Sequence, residues 1–162
     1  MEQKYTAKDV IDMAIQSKSK GVDLYLDLAR NSENYHVGKL FMELAKDEQK
    51  HKHELEHLRE SIASEKAEEA YPGEKALYLN ALVDTSTFNC DETLKKVLET
   101  TISEEEALQA GITFEKDFLL FLHELKLNVL KEAEETIDNL LSEEIKHLGD
   151  MFNLKDSLEK GG

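Results

Sequence analysis

Apolar residues recur every three or four positions along four stretches of this chain, the spacing of one buried face of an α-helix. The first stretch runs from about Thr6 to Arg30, with Thr6 placed as N-cap and Asp9 three residues on, as in a capping box. The run Asn31-Ser32-Glu33-Asn34 breaks it. The second stretch runs from about Tyr35 to Glu69 and is stopped by Pro72-Gly73. The mixed segment from Glu74 to Asn89 predicts a short helix over about Lys75 to Val83. A third long helix is expected from near Asp91, and a fourth ends before Gly161-Gly162. No Gly or Pro lies between Ile112 and Leu148, so the turn joining these two helices is weakly marked. The order is hairpin, long connection, hairpin, which predicts one all-α domain over residues 1–162: a four-helix bundle with a long crossover. The break at Tyr71-Pro72-Gly73 argues against a coiled-coil rod.

Each apolar stripe is interrupted near its middle by an ionisable residue. Lys18 interrupts Ile11, Ala14, Val22, Tyr25 and Leu28 on the first helix. Glu48 and His51 interrupt Phe41, Leu44, Leu55 and Leu58 on the second. Glu105 falls among Leu98, Ile102, Leu108 and Ile112, and Glu144 and His147 fall among Ile137, Leu140, Met151 and Leu154. Isolated buried charges are costly, so four coincident interruptions need a common cause. Two of them have one form, Glu-x-x-His: Glu48-Gln49-Lys50-His51 and Glu144-Ile145-Lys146-His147. Residues three apart share a helical face, so carboxylate and imidazole can grip one metal ion. Two such helices, with a single Glu from each of the other two, make a di-iron or di-manganese carboxylate centre.

Counting checks the depth. Lys18 lies 13 residues before Asn31, and Glu48 lies 13 after Tyr35, so they stand at one height. In the second half, Glu105 and the Glu144/His147 pair are level if the chain turns at His123 to Asn128. Each half then reads as single ionisable residue, hairpin, Glu-x-x-His, the pattern of an internal duplication.

These residues resemble the rubrerythrin branch of the ferritin-like proteins, over nearly the whole chain. The pieces are Ala14-Ile15-x-x-Lys18 with Tyr25, Phe41-x-x-Leu44-Ala45-x-Asp47-Glu48-x-x-His51, Thr101-Ile102-x-x-Glu105 and Glu144-x-x-His147. The resemblance implies a non-haem di-iron centre acting as an oxidoreductase on peroxide or oxygen, with an unidentified electron donor. It also implies Glu48 and Glu144 as bridging ligands, Glu105 and His147 on the second metal, and His51 on the first. Three departures stand out. Lys18 occupies the position of the family's helix-one Glu, Leu108 that of an additional helix-three Glu, and the Cys-x-x-Cys pairs of a rubredoxin-like domain are missing from this sequence.

Lys18 has three readings: a displaced surface lysine whose stem packs on the core, an internal counter-ion to the glutamates, or a functional acid or base. Charge favours the counter-ion. Three glutamates and one lysinium leave two negative charges, which one divalent ion neutralises, whereas two ions would leave a costly excess. The cofactor expected is therefore iron, two ions or one if Lys18 disables a half-site, with manganese or zinc as alternatives. The competing reading is a degenerate bundle that holds one metal or none and serves a structural or binding role.

The other candidates carry less. Tyr25 reads as core rather than redox-active, and His53 and His57 as a solvated face despite a metal-capable spacing of four. Phe114, Phe118, Phe121 and Leu122 read as apolar surface left over for a homodimer. The single cysteine, Cys90, excludes an internal disulfide, and with no apolar leader in view the expected location is the cytoplasm. A formal net charge of −15 disfavours nucleic acid and anionic membranes as partners.

Overall fold

The structure, a computed structural model, describes residues 5–62, 70–71, 74–85, 99, 102–128 and 133–161. Its elements are β1 (Tyr5–Thr6), α1 (Ala7–Asn31), α2 (Tyr35–Ser61), β2 (Ala70–Tyr71), α3 (Glu74–Thr85), α4 (Glu104–Asn128) and α5 (Glu134–Gly161). The α1 start is a reciprocal capping box. The Thr6 hydroxyl accepts from the Asp9 backbone N–H at 3.1 Å, and the Asp9 carboxylate accepts from the Thr6 N–H at 2.8 Å. Asn34 caps α2 by accepting from the N–H groups of His36 and Val37. The strands form one short antiparallel pair, Tyr5 opposite Tyr71, an element the helical periodicity did not anticipate.

Long helices α1 and α2 pair as one hairpin and α4 and α5 as the other. Neighbouring side chains give the directions. Lys18 lies over Phe118, while Tyr25 meets Glu115, so α1 and α4 are antiparallel. Asp47 meets His147 and Lys50 meets Glu143, so α2 and α5 are antiparallel as well. With both hairpins antiparallel, α2 and α4 must run the same way. The chain between them therefore travels the length of the bundle, as the predicted crossover requires. No helix among the described residues is long and apolar enough to cross a membrane.

One carboxylate fixes where the crossover ends. Glu104, at the first position of α4, accepts from the Ser32 hydroxyl at 2.7 Å and from the backbone N–H groups of Glu33 at 2.9 Å and Asn34 at 3.2 Å. It thus satisfies donors in the turn between α1 and α2, on the opposite hairpin. Charge-assisted bonds of this kind are the stronger ones, so Glu104→Ala is expected to cost about 2 kcal/mol. That corresponds to roughly 6 °C in Tm for a domain of this size. An unchanged thermal midpoint by circular dichroism would show that the packing of α4 alone sets its position.

Four expectations are corrected. The chain does not turn at 123–128, because α4 is helical through Asn128 and α5 begins at Glu134. No glycine or proline stops α4, and Phe121, Leu122 and Leu125 bury against the core, so helical packing carries on past the expected break. The third helix is not continuous from Asp91. Residues 102–103 are non-helical before α4, while the stretch 91–98 lies outside the described residues. The second helix stops at Ser61, with Ile62 already extended, short of the expected Glu69; residues 63–69 lie outside the described residues. Finally, Phe114, Phe118, Phe121 and Leu122 are core residues, each at most 1% exposed, and form no surface patch.

Candidate metal centre

Seven polar or charged side chains are buried among the described residues: Ser17, Lys18, Glu48, His51, Glu115, Glu144 and His147. All but Ser17 converge at one level of the bundle. Glu48, Glu115, Glu144 and His147 each offer one ligand atom, and these atoms lie within 4.8 Å of one another. They come from three helices. The fourth contributes Lys18, whose ammonium lies 2.8 Å from Glu48 Oε2, pairs with Glu144, and sits 3.8 Å above the centre of the Phe118 ring. His51 reaches the same cluster, with Nδ1 3.0 Å from Glu144 Oε1.

Glu105 is not among them. It lies in the first turn of α4, half-buried and ten residues before Glu115, and Glu115 occupies the place expected for it. The misplaced turn is the reason. Counted from the true end of α4, Glu115 stands 13 residues before Asn128, the same interval that separates Lys18 from Asn31. The signal was in the sequence: Leu108, Ile112, Phe118, Leu122 and Leu125 form one buried stripe, and Glu115 interrupts it. In the repeated pattern read from the sequence, Lys18 therefore corresponds to Glu115.

Both histidines turn Nδ1 inward and Nε2 outward. His147 Nε2 lies 3.0 Å from Asp47, and His51 Nε2 bonds Glu143. Asp47 and Glu143 are the residues just before Glu48 and Glu144, and each holds the histidine of the other helix. When the proton of each neutral ring sits on the outer nitrogen, bonded to that carboxylate, Nδ1 presents a lone pair to the interior. This outer support was missed in the sequence, because residues 47 and 143 fall off the apolar stripe; only the folded bundle brings α2 against α5.

Electrostatics follow from burial. Burial pushes Glu48 up to about 7, despite the opposing pull of Lys18. Burial, then Glu144 and Glu48, push Glu115 well above the usual carboxylate range. Burial would also raise Glu144, but the Lys18 ammonium beside it outweighs that and holds it well below that range. Burial would lower Lys18; Glu144, Glu48 and Glu115 outweigh it, so the ammonium stays charged. Tyr25 donates to Glu115 at 2.7 Å and stacks on Phe41, so it is a core residue that also touches the centre.

Several buried site atoms have no hydrogen-bonding partner: one oxygen each of Glu48, Glu115 and Glu144, and Nδ1 of His51 and His147. The Glu48 oxygen still has its ion pair with Lys18, and His51 Nδ1 its 3.0 Å approach to Glu144. Buried lone pairs left unmatched are costly. A divalent cation bound by oxygen and imidazole nitrogen would satisfy them and neutralise the excess carboxylate charge, so the donor set fits a metal. Close approach of the helices is part of the construction. A Cβ on Gly21 would stand 3.0 Å from Glu48 Oε2 and from the Phe114 ring, tighter than ordinary contact, so a side chain here would press on the centre.

The fold and this carboxylate–histidine cluster define a ferritin-like bundle. A family model for rubrerythrin matches residues 9–155, and the chain belongs to that family. Its fold is similar to the crystal structure of a Thermotoga maritima protein described as a ferritin-like diiron-carboxylate protein. The two share 21% identity, with 96% of this chain and 98% of that one covered at a TM-score of 0.79. No curated protein matches the chain.

Proposed function

We propose that this protein holds a single divalent metal, iron in the first instance, in the half-site built from Glu115, Glu144 and His147 with Glu48 reaching across. The observation that carries this reading is the Lys18 ammonium, lodged between Glu48 and Glu144 where the other half of a dinuclear centre would need a carboxylate. A protonated lysine has three donors and no lone pair, so it fills space and charge without binding metal. His51 remains as a donor to that half, with Glu48 already engaged by Lys18.

A redox-active metal bound there would exchange electrons with peroxide or oxygen, the oxidoreductase chemistry proposed for this bundle with a separate electron donor. The chain's own contributions are specific. Glu115, Glu144 and His147 would hold the ion, Asp47 orients His147, and Tyr25 holds a proton against Glu115. Phe114 and Phe118 line the interior beside the cluster and keep water out. Manganese or zinc suit the same ligands. A metal-free structural role is disfavoured by the unmatched lone pairs of the centre.

The test is metal analysis of protein purified without added metal, followed by Co(II) titration. One ion per chain, with the absorption of a cobalt bound by nitrogen and oxygen, is expected. Two tightly bound ions, or none, would refute the single-metal reading. Homodimer formation is a separate proposal; its surface would have to include exposed side chains such as Ile145 and Phe152 rather than the buried phenylalanines. A monomeric mass by light scattering would refute it.

A further inference from the structure

The ligand pattern on α2 does not stop at His51. Glu48, His51, Glu54 and His57 follow one another at intervals of three, alternating carboxylate and imidazole. Successive steps of three fall about 60° short of a full turn, so the series winds around the helix. Glu48 and His51 are fully buried, Glu54 is half-buried and His57 is exposed. The series thus climbs from the centre to the surface. It surfaces in the groove between α2 and α5, where a cavity of about 390 Å³ is lined by Glu54, His57, Leu58, Ser61, Thr136 and Asn139. Apart from Leu58, every one of these residues carries an oxygen or nitrogen able to meet a cation.

The ground between this cavity and the centre is also furnished. Lys50 lies 3.7 Å from Glu54 and 3.2 Å from Glu143, and Glu143 in turn bonds His51. One lysine therefore bridges the carboxylate of the outer groove and the carboxylate that holds an inner histidine. A cation arriving at Glu54 finds the next carboxylate already positioned, with the exposed Lys50 ammonium to displace. The net charge of −15 draws cations toward such a groove.

We propose that Glu54 and His57 form an outer divalent-metal site at the mouth of the α2–α5 groove, from which the buried centre is loaded. The loading half rests on the buried centre binding metal as argued above; the outer site stands on its own residues. Residues three apart on one helical turn present carboxylate and imidazole to one ion, and the partly open groove makes that ion weakly held and exchangeable.

Two measurements test it. In the first, Co(II) uptake into the metal-free protein is followed by stopped-flow absorption, comparing the parent with the Glu54→Gln/His57→Gln double variant. The expected result is roughly tenfold slower loading of the buried site, with the same final occupancy and spectrum of that site. Equal rates would overturn the loading role while leaving the buried centre intact. In the second, equilibrium dialysis with Zn(II) is applied to a Glu144→Gln/His147→Gln variant, whose buried centre is disabled. It is expected to retain one weaker ion per chain, which is lost when His57→Gln is added. Absence of that ion, or its persistence without His57, would overturn the outer site. Should the parent take up no metal in its centre, the loading role falls with the centre, and the dialysis alone decides the outer site.

Discussion

Replacing Lys18 with glutamate is expected to raise the metal content from one to two ions per chain. The side chain is completely buried and its ammonium is shared between Glu48 and Glu144. Removing it frees both carboxylates, and the new glutamate supplies the missing ligand beside His51. Four carboxylates then balance two divalent ions, the charge rule of the dinuclear centres built on this pattern. With iron bound, the variant is expected to gain peroxide-dependent turnover. Lys18→Met separates charge from ligation. It removes the ammonium but offers no oxygen, so metal content should remain at one. Leaving two buried carboxylates without their partner costs about 3–5 kcal/mol in the metal-free protein, or roughly 10 °C in Tm. Metal content and thermal midpoints measured on the three proteins under identical loading decide the matter. If the natural protein already binds two irons tightly and Lys18→Glu changes nothing, the ammonium does not occupy a half-site.

Glu115→Gln is expected to abolish tight metal binding, whereas Glu105→Gln leaves it untouched. Loss of an outer-shell partner alone typically weakens a metal by 10–100-fold, and loss of a ligand should exceed that, by roughly 100-fold or more. The substitution keeps the shape and still accepts from the Tyr25 hydroxyl. It also removes a carboxyl that burial pushes upward, so the metal-free Tm should stay level or rise. Weaker metal binding without loss of stability is the signature of a functional group held at a cost to the fold. Co(II) titration of both variants makes the comparison. Equal affinities would remove Glu115 from the centre, and a loss confined to Glu105→Gln would return the ligand to the start of α4.

Helix existence and the first half of the centre were legible in the sequence because both depend on local spacing. Thr6 and Asp9 mark the start of α1, Asn34 caps α2, and the short loop between Asn31 and Tyr35 fixes the depth of Lys18 against Glu48. The family resemblance rests on those same residues. The second half failed at one point. Neither Gly nor Pro between Ile112 and Leu148 marks the turn, so the expected turn fell short of its true place, and the count from it pointed to Glu105 where the buried cluster has Glu115. An interrupted stripe tells which face a residue is on; its height along the bundle requires the position of the turn.

What the sequence by itself determined is therefore the helical class, the paired Glu-x-x-His faces and the anomalous lysine, since all follow from periods of three and four along one chain. Tertiary structure alone decided which atoms meet. It set Asp47 against His147 and Glu143 against His51, because residues 100 and 92 positions apart become neighbours only when α2 packs on α5. It carried the four phenylalanine and leucine positions on α4 from expected surface into the core, since a helix buried by two neighbours and by α3 has a wider apolar face than one stripe predicts. It also gave Lys18 its place, because burial makes an unpaired ammonium untenable, and the nearest carboxylates are those of the centre itself.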